Sequence, residues 1–300
     1  MKFIIDENSE GERLDLFLSG LESNISRSKI QASIKEGKAL VNFKKAKSSY
    51  VLKEADIITF EFPIEEDLLE IIPEKIPLNI VWEDENMAVI NKPSGMLTHP
   101  TTVEKSGTLV NALLNHYGEE LSTLNGNMRR GIVHRLDRNT SGLIMIAKND
   151  KTHEFLVNEM REKRFSKKYL AIVRGNIEKD EFEINSPIGR HLTQPHKQCV
   201  RKDGKESLTL VKVLERFKEA TLVELTLITG RTHQIRVHLS SIGYPVYNDT
   251  LYGFGKMKIK TEEQVLQSYK LEFTKPFSDE RIFLEIPRDE KINKVLKALA

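Results

Sequence analysis

The sequence predicts an α+β protein in two parts. A small N-terminal α/β unit is followed by a larger domain on a mixed, mostly antiparallel β-sheet with flanking helices. Three observations predict this. Three hundred residues suffice for two domains, one with a substantial core. An acidic stretch with three prolines, residues 63–77, reads as a linker and sets the domains at 1–62 and 78–300. Beyond it, strand-length apolar runs outnumber helical patterns, and the helices are scattered rather than alternating with strands, which argues against a regular βαβ array.

In the first unit, Phe3-Ile4-Ile5 is a short strand. Leu14, Phe17, Leu18 and Leu21 share one face of a helix over residues 12–22. Ser26 caps a second helix over 27–36, with Ile30 and Ile34 inward and Gly37 ending it. Residues 39–42 and 56–60 are short strands. Residues 27–53 hold eight Lys/Arg and one acid, Glu36, whereas 54–74 hold eight acids and no base. A basic block embedded in predicted structure favours a nucleic-acid-binding face over a disordered tail, while a merely solvated face is the commoner origin of such a run.

In the second domain, residues 80–82 and 87–90 are strands around an Asp84-Glu85-Asn86 turn, and 91–95 is a further turn. Leu109, Ala112, Leu113 and Tyr117 mark a helix closed by Gly118. Leu143-Ile144-Met145-Ile146-Ala147 is a buried strand. A helix over 152–163 turns Phe155, Leu156 and Met160 inward, and its basic end (Arg161, Lys163, Arg164) suits a helix C-terminus. Strands follow at 168–173, 208–214 and 221–228. Gly230-Arg231-Thr232-His233-Gln234 is a tight turn. Ile235, Leu239 and Ile242 then give a helix, with Thr232 as its cap and Gly243 and Pro245 as its stop. Strands at 269–273 and 281–286 close the chain.

Composition is that of an ordinary soluble globular protein, 39% hydrophobic and 30% charged. The first residues lack a signal-peptide apolar core, and no window approaches a membrane span. A single cysteine, Cys199, excludes a disulfide framework and a Cys-based metal site, and fits a reducing cytoplasm.

The stretch with the most chemistry is Val133-His134-Arg135-Leu136-Asp137-Arg138-Asn139-Thr140-Ser141-Gly142. One carboxylate sits among three basic or titratable side chains, on a turn held against a buried strand. Nearby positive charge favours an ionised carboxylate. Asp137 is therefore a candidate nucleophile or base, or else one member of a surface ion pair. A serine triad of His134, Asp137 and Ser141 fails, because one short turn cannot align nucleophile, base and orienting group. His134, Asp137, His233 and His238 could ligate a metal but lack any metal-binding spacing. The Gly230 turn lacks the phosphate-cradling glycine pattern of a nucleotide site. Arg231, presented on a turn between strand and helix, is placed to clamp Asp137 bidentately. Tyr169, beside Lys167 and Lys168, is either a core tyrosine or a ring on which a base stacks. A second basic segment, with Arg190, Lys197, Arg201, Lys202, Lys205, His191 and His196, reads as a solvated loop or a further polyanion contact.

These residues together resemble the pseudouridine synthases of the RluA/RluD type, which act on ribosomal large-subunit RNA and sometimes tRNA. The resemblance covers nearly the whole chain. It rests on Asn91-Lys92-Pro93-Ser94-Gly95-Met96 with His99-Pro100, on 134–143, on Lys168-Tyr169-Leu170-Ala171 with Gly175, and on Gly230-Arg231-Thr232-His233-Gln234-Ile235-Arg236-Val237-His238-Leu239. The N-terminal unit is similar to the alpha-L RNA-binding domain, through Arg13-Leu14-Asp15, Ser26-Arg27-Ser28, Ile34-Lys35-Glu36-Gly37 and Val41-Asn42. Three turns depart from the pattern. Asn42-Phe43 stands for Asn-Gly, Glu54-Ala55-Asp56 for Gly-Asp, and Tyr247-Asn248-Asp249 has Asn where a Gly is usual; Asn tolerates left-handed backbone.

The resemblance implies isomerisation of uridine to pseudouridine within RNA, most simply in large-subunit ribosomal RNA, with no cofactor and no metal. Asp137 would attack the ribose anomeric carbon or remove a proton to permit elimination; the sequence does not choose. Tyr169 would stack on the uracil and assist removal of the carbon-5 proton. Arg231 would pair with Asp137. RNA contacts are expected from His134, Arg135, Arg138, Lys92, His99, Lys168 and His233, and in the N-terminal domain from Arg27, Lys29, Lys35 and Lys38. The alternatives are a tRNA-directed synthase, a non-catalytic RNA-binding assembly factor on the same scaffold, or a metal-dependent hydrolase. A monomer in the cytoplasm is expected.

Overall fold

The computed structural model describes residues 1–300 apart from positions 8, 22–24, 26, 63–70, 102, 195, 255–258, 260, 262 and 300. The expected cap Ser26 and the first part of the expected linker lie outside the described residues. The chain divides into two compact units, Met1–Glu70 and Ile71–Ala300.

In the first unit, β1 (Lys2–Ile4), β4 (Ile57–Phe60), β2 (Ala39–Val41) and β3 (Lys44–Lys45) form an antiparallel sheet in that spatial order. Helices α1 (Leu14–Leu21) and α2 (Arg27–Glu36) bury Leu14, Leu18, Ile30 and Ile34 against it, as their spacing predicts. The sequence does not announce β3, since two exposed lysines carry no apolar alternation. The Asn42–Phe43 turn makes that strand. Both residues take left-handed backbone, φ 48° and 65°, as a two-residue hairpin requires. Ala55 is also left-handed, φ 65°. All three positions fall where the alpha-L pattern departs at a turn.

Arg27 is not placed as a simple phosphate contact. Its Nη2 pairs with Asp15 Oδ2 at 2.9 Å, and Arg13 and Gln31 donate to the same buried carboxylate. Burial pushes the Asp15 pKa up, but these donors outweigh it and hold the pKa well below the usual carboxylate range. Lys38 pairs with Glu36 at 2.9 Å on the surface, while Lys29 and Lys35 are exposed.

The second unit begins earlier than the linker reading allows. Ile71 is buried, Asn111 Nδ2 donates to the Ile72 carbonyl, and Glu74 N–H donates to the Asn111 carbonyl, both at 2.9 Å. The elements in chain order are β5 (Ile80–Glu83), β6 (Met87–Lys92), α3 (Leu109–Tyr117), β7 (Ser141–Ala147), α4 (Asp150–Arg161), β8 (Ser166–Arg174), β9 (Glu181–Asn185), β10 (Ile188–Arg190), β11 (Gln198–Val200), β12 (Leu208–Arg216), β13 (Ala220–Leu227), α5 (Gln234–Ser241), β14 (Leu266–Thr274), β15 (Arg281–Glu285) and α6 (Glu290–Leu299). Among the described residues, nine strands form one sheet in the order β5-β6-β7-β14-β8-β13-β12-β9, with β15 on β14. Only the β7–β14 pairing is parallel, which matches the mixed, mostly antiparallel expectation.

Strand β7 is buried along its whole length, as its unbroken apolar run requires. It meets β14 at Gly142, whose φ of 113° and close approach to the Ser268 carbonyl leave no room for a Cβ. Helix α6, which the strand-only reading of the C-terminus misses, buries Ile292 and Val295 and packs Leu296 and Leu299 on the core. That i, i+3, i+4, i+7 spacing is present in the sequence.

Candidate active site

Asp137 is held by its backbone rather than by a regular element. Thr98 Oγ1 donates to the Leu136 carbonyl at 2.8 Å, and Thr140 N–H donates to the Asp137 carbonyl at 3.1 Å. Lys92, expected on RNA, is instead fully buried beneath the turn. Its ammonium donates to the carbonyls of Pro93, Met96 and Arg138 at 2.7, 2.8 and 3.1 Å. Burial pushes its pKa down to about 7, while three carbonyl acceptors call for three N–H donors and so for the protonated form. From α6, Lys291 Nζ donates to the Asn139 carbonyl at 3.1 Å. Two ammonium groups thus hold the two carbonyls that follow Asp137.

The guanidinium on Asp137 belongs to Arg236, not Arg231. Arg236 Nη1 donates to Asp137 Oδ2 at 3.1 Å. Its Nε and Nη2 donate to both oxygens of Asp249 at 2.7 and 2.9 Å, forming a planar fork on a fully buried carboxylate. Asp249 also accepts the N–H groups of Leu251 and Tyr252, both at 2.9 Å. Burial pulls the Arg236 pKa down, but Asp249 and then Asp137 overcome this and raise it. The helix explains the exchange. Helix α5 starts at Gln234, so Arg236 lies on its buried length, whereas Arg231 stays exposed in the preceding turn with Nε donating to the Glu206 carbonyl at 3.1 Å. The missed signal was an arginine within the apolar run Ile235, Val237 and Leu239, where a charge must be paired.

Arg231 still lines the same cleft, together with Asp137, Arg135, Lys167, Tyr169, His233 and Arg236. Tyr169 is buried on β8, and burial pushes its phenol pKa up, so the ring is neutral at physiological pH. Strand alternation puts Lys167 on the Tyr169 side and Lys168 on the other, where Lys168 pairs with Glu224 at 2.9 Å. Lys168 therefore leaves the list of cleft cations and Lys167 joins it; burial pushes Lys167 down to about 8.

His134 cannot serve as a phosphate-binding cation. Its Nε2 accepts the Met145 N–H at 3.0 Å, and burial, with Lys167 nearby, lowers its pKa well below the ordinary value. His233 stands at the start of α5 in left-handed backbone, φ 57°, with no side-chain cap; Thr232 is not the cap. His233 Nε2 is 3.9 Å from Asp137 Oδ1. His238 is buried, its ring nitrogens engaged with Thr209 Oγ1 and the Ser186 carbonyl, both at 2.9 Å. The three histidines do not converge with Asp137 as a ligand set, and no His/Cys/Asp/Glu group suited to a metal occurs among the described residues.

Arg135 is exposed at the cleft. Arg138 is engaged with both oxygens of Glu104 through a fork, with both side chains partly exposed. His99 Nδ1 lies 2.9 Å from the Pro100 carbonyl. Asn248, at the turn where a Gly is usual, has φ 57°, so the left-handed turn survives with Asn. Among the described residues, no helix is long and apolar enough to cross a membrane.

One cleft on the mixed sheet thus sets the Asp137 carboxylate against buried Arg236 and buried Tyr169. The family description for RNA pseudouridylate synthase matches residues 86–241, and that for the S4 domain matches 12–58. An uncharacterised RNA pseudouridine synthase of Bacillus subtilis (strain 168) is 42% identical over 293 residues, covering 98% of this chain and 96% of that one. The ribosomal large subunit pseudouridine synthase D of Nitrosomonas europaea is 35% identical over 306 residues, covering 100% and 88%. Among solved structures, human RNA pseudouridylate synthase domain containing 1 superposes with a TM-score of 0.58 at 26% identity, covering 75% of this chain and 96% of that one. The chain belongs to the RNA pseudouridylate synthase family, with an N-terminal S4 domain. It is an RNA pseudouridine synthase, an isomerase.

Proposed function

We propose that the chain converts specific uridines of large-subunit ribosomal RNA to pseudouridine, with Asp137 as the reacting group. The relatives that match along almost the whole chain and carry ribosomal large-subunit names support the substrate. The Asp137–Arg236 pair in the Tyr169 cleft carries the choice of residue.

The reaction balances without an external reactant. The bond from ribose to uracil N1 breaks, a bond from ribose to uracil C5 forms, and the C5 proton is exchanged for one on N1. Asp137 acts at the ribose, by attack on the anomeric carbon or by removing a proton. Arg236 fixes its carboxylate, anchored in turn by Asp249. Tyr169 offers its ring face to the uracil. Burial raises its pKa and keeps the phenol neutral, which suits a ring that stacks on the base. The target base leaves its stack to enter the cleft, at about a few kcal/mol. Arg135, Arg231 and Lys167 meet the RNA backbone, and the basic face of the N-terminal domain adds sequence-independent affinity.

The test is conversion of uridine in large-subunit ribosomal RNA by wild type and by Asp137→Asn. The reading expects site-specific conversion by wild type and none by the variant, with RNA affinity kept. Turnover by the variant would reassign the reacting group.

A further inference from the structure

We infer that Tyr252 is a positioning residue that fixes the tautomer of His233, so that a neutral Nε2–H stands beside Asp137. The inference rests on the reading of Asp137 as the reacting group.

The hydrogen bonds around the Tyr252 hydroxyl determine its direction. Gln198 N–H, from β11, donates to the hydroxyl at 2.8 Å. A backbone N–H has no acceptor capacity, so this bond occupies a lone pair on the phenol oxygen. Among the described residues His233 Nδ1, also 2.8 Å away, is the acceptor within reach of the hydroxyl proton, and the reverse direction, Nδ1–H donating to the oxygen's second lone pair, would leave that proton without a partner. The arrangement that satisfies every group has Nδ1 unprotonated and the imidazole proton on Nε2. Nε2 is the nitrogen 3.9 Å from Asp137 Oδ1. The opposite tautomer would face a lone pair toward the carboxylate.

The ring itself is also held. Tyr252 packs edge-on against His233 at 5.5 Å between centroids, and its face receives the Arg236 guanidinium at 5.1 Å. The Tyr252 carbonyl accepts from Ser240 Oγ at 2.9 Å, and its N–H donates to Asp249. One side chain therefore touches both groups that flank Asp137. Burial lowers the His233 pKa, with Arg236 and Arg135 also lowering it against Asp137 and Asp249, so the ring is neutral at pH 7. A neutral donor supports a ribose oxygen placed beside the carboxylate without adding a second cation to the Asp137–Arg236 pair. At 3.9 Å the two atoms make no direct hydrogen bond, and an oxygen set to one side of the line between them would reach both.

The same hydroxyl connects β11 to the site. The β10–β11 hairpin carries Arg190, Lys197 and Arg201. A shift of the Gln198 N–H would release the constraint on His233, so the hairpin's seating is registered at Asp137 through one phenol.

The experiment uses the full chain labelled with 15N-histidine and three variants: Tyr252→Phe, His233→Gln and the double variant. Phe keeps the ring over Arg236 and deletes the hydroxyl. Gln keeps a donor near the ε position and has no tautomers. Long-range 1H–15N spectra report the His233 tautomer, and single-turnover conversion of a large-subunit RNA fragment reports function. The inference expects the Nε2–H form in wild type and a mixture in Tyr252→Phe. It expects the Tyr252→Phe rate to fall about 10-fold, a size seen for groups that orient an imidazole, with the RNA Kd and Tm little changed. It expects Tyr252→Phe to have no further effect in the His233→Gln background. An Nδ1–H form in wild type, an unchanged rate in Tyr252→Phe, or an equal loss in both backgrounds would overturn it. A wild type with no pseudouridine formation would overturn the functional reading instead, and the spectra would still decide the tautomer.

Discussion

Replacing Arg236 with Met separates what this residue does for stability from what it does for catalysis. Met fills similar volume without a charge. The change strips Asp249 of two charge-assisted hydrogen bonds, at 2.7 and 2.9 Å, in a place where its side chain has no solvent exposure. Removing one partner of a buried pair costs about 3–5 kcal/mol, because the other charge is left without compensation. The pH dependence has a definite sign. In wild type the pair outweighs burial and depresses the Asp249 pKa, giving stability that is present above the unfolded value near 3.8 and is lost as pH falls through the folded value. Without Arg236, burial dominates and raises the Asp249 pKa. The variant's deficit is then largest at pH 7 and shrinks as Asp249 takes a proton in mildly acidic solution. Urea unfolding at pH 7.5 and pH 5 measures both. Adding Asp249→Asn to Arg236→Met should recover most of the stability and none of the rate, since Asp137 still lacks its partner. That rate loss should be about 100-fold, the scale for one preorganised donor at a reacting centre. A stability loss under 1 kcal/mol at both pH values, or recovery of the rate in the double variant, would refute the reasoning.

Phe43→Gly and Ala55→Gly should each stabilise the first unit by about 1 kcal/mol, because both residues hold left-handed backbone that Gly adopts without steric cost; an unchanged or lower unfolding midpoint would count against this. Lys92→Met should destabilise the second unit by about 3 kcal/mol, as three carbonyls lose a charged donor, and thermal unfolding that stays within 1 °C of wild type would contradict the assignment. Lys168→Ala should leave the salt dependence of RNA binding unaltered, since the side chain lies opposite Tyr169 and pairs with Glu224; a slope reduced by about one unit would put it on phosphate. Gly142→Ala should prevent normal folding of the second unit or lower its Tm steeply, because its Cβ would overlap the Ser268 carbonyl; a circular-dichroism melt matching wild type would be inconsistent with the close approach.

The parts of this fold that rest on periodicity are legible in the chain. Helices α1 to α5 and strands such as β7, β8 and β13 follow from apolar spacing, because each buries one face or its whole length. The strands that escaped notice, β3, β10 and β11, are two or three residues long and largely solvated, so their positions come from turns and partners rather than from composition. Strand β9 is mostly exposed and has one fully buried residue, Ile184. Helix α6 was different: its apolar stripe was readable. The motif resemblance brings Asp137 and Tyr169 together, and the structure places both in one cleft. The sequence points to Arg231 for the pair, five residues before Arg236, because a turn side chain reads as presented and one within an apolar helix does not. Burial is what lets Arg236 pair with both, since a buried guanidinium bridges Asp137 and Asp249. The expected cations Lys92 and His134 proved to be structural for a related reason. Charge seen in a sequence carries no information about whether a carbonyl or a phosphate receives it.

The central claim is that Asp137 isomerises uridine in ribosomal RNA. Its most direct measurement is a map of pseudouridine across large-subunit ribosomal RNA incubated with wild type or Asp137→Asn, with RNA affinity measured in parallel. The account predicts discrete converted positions with wild type, none with the variant, and affinities within a few fold of each other. Conversion by Asp137→Asn, or a wild type that binds this RNA and converts no uridine in it, would contradict the account.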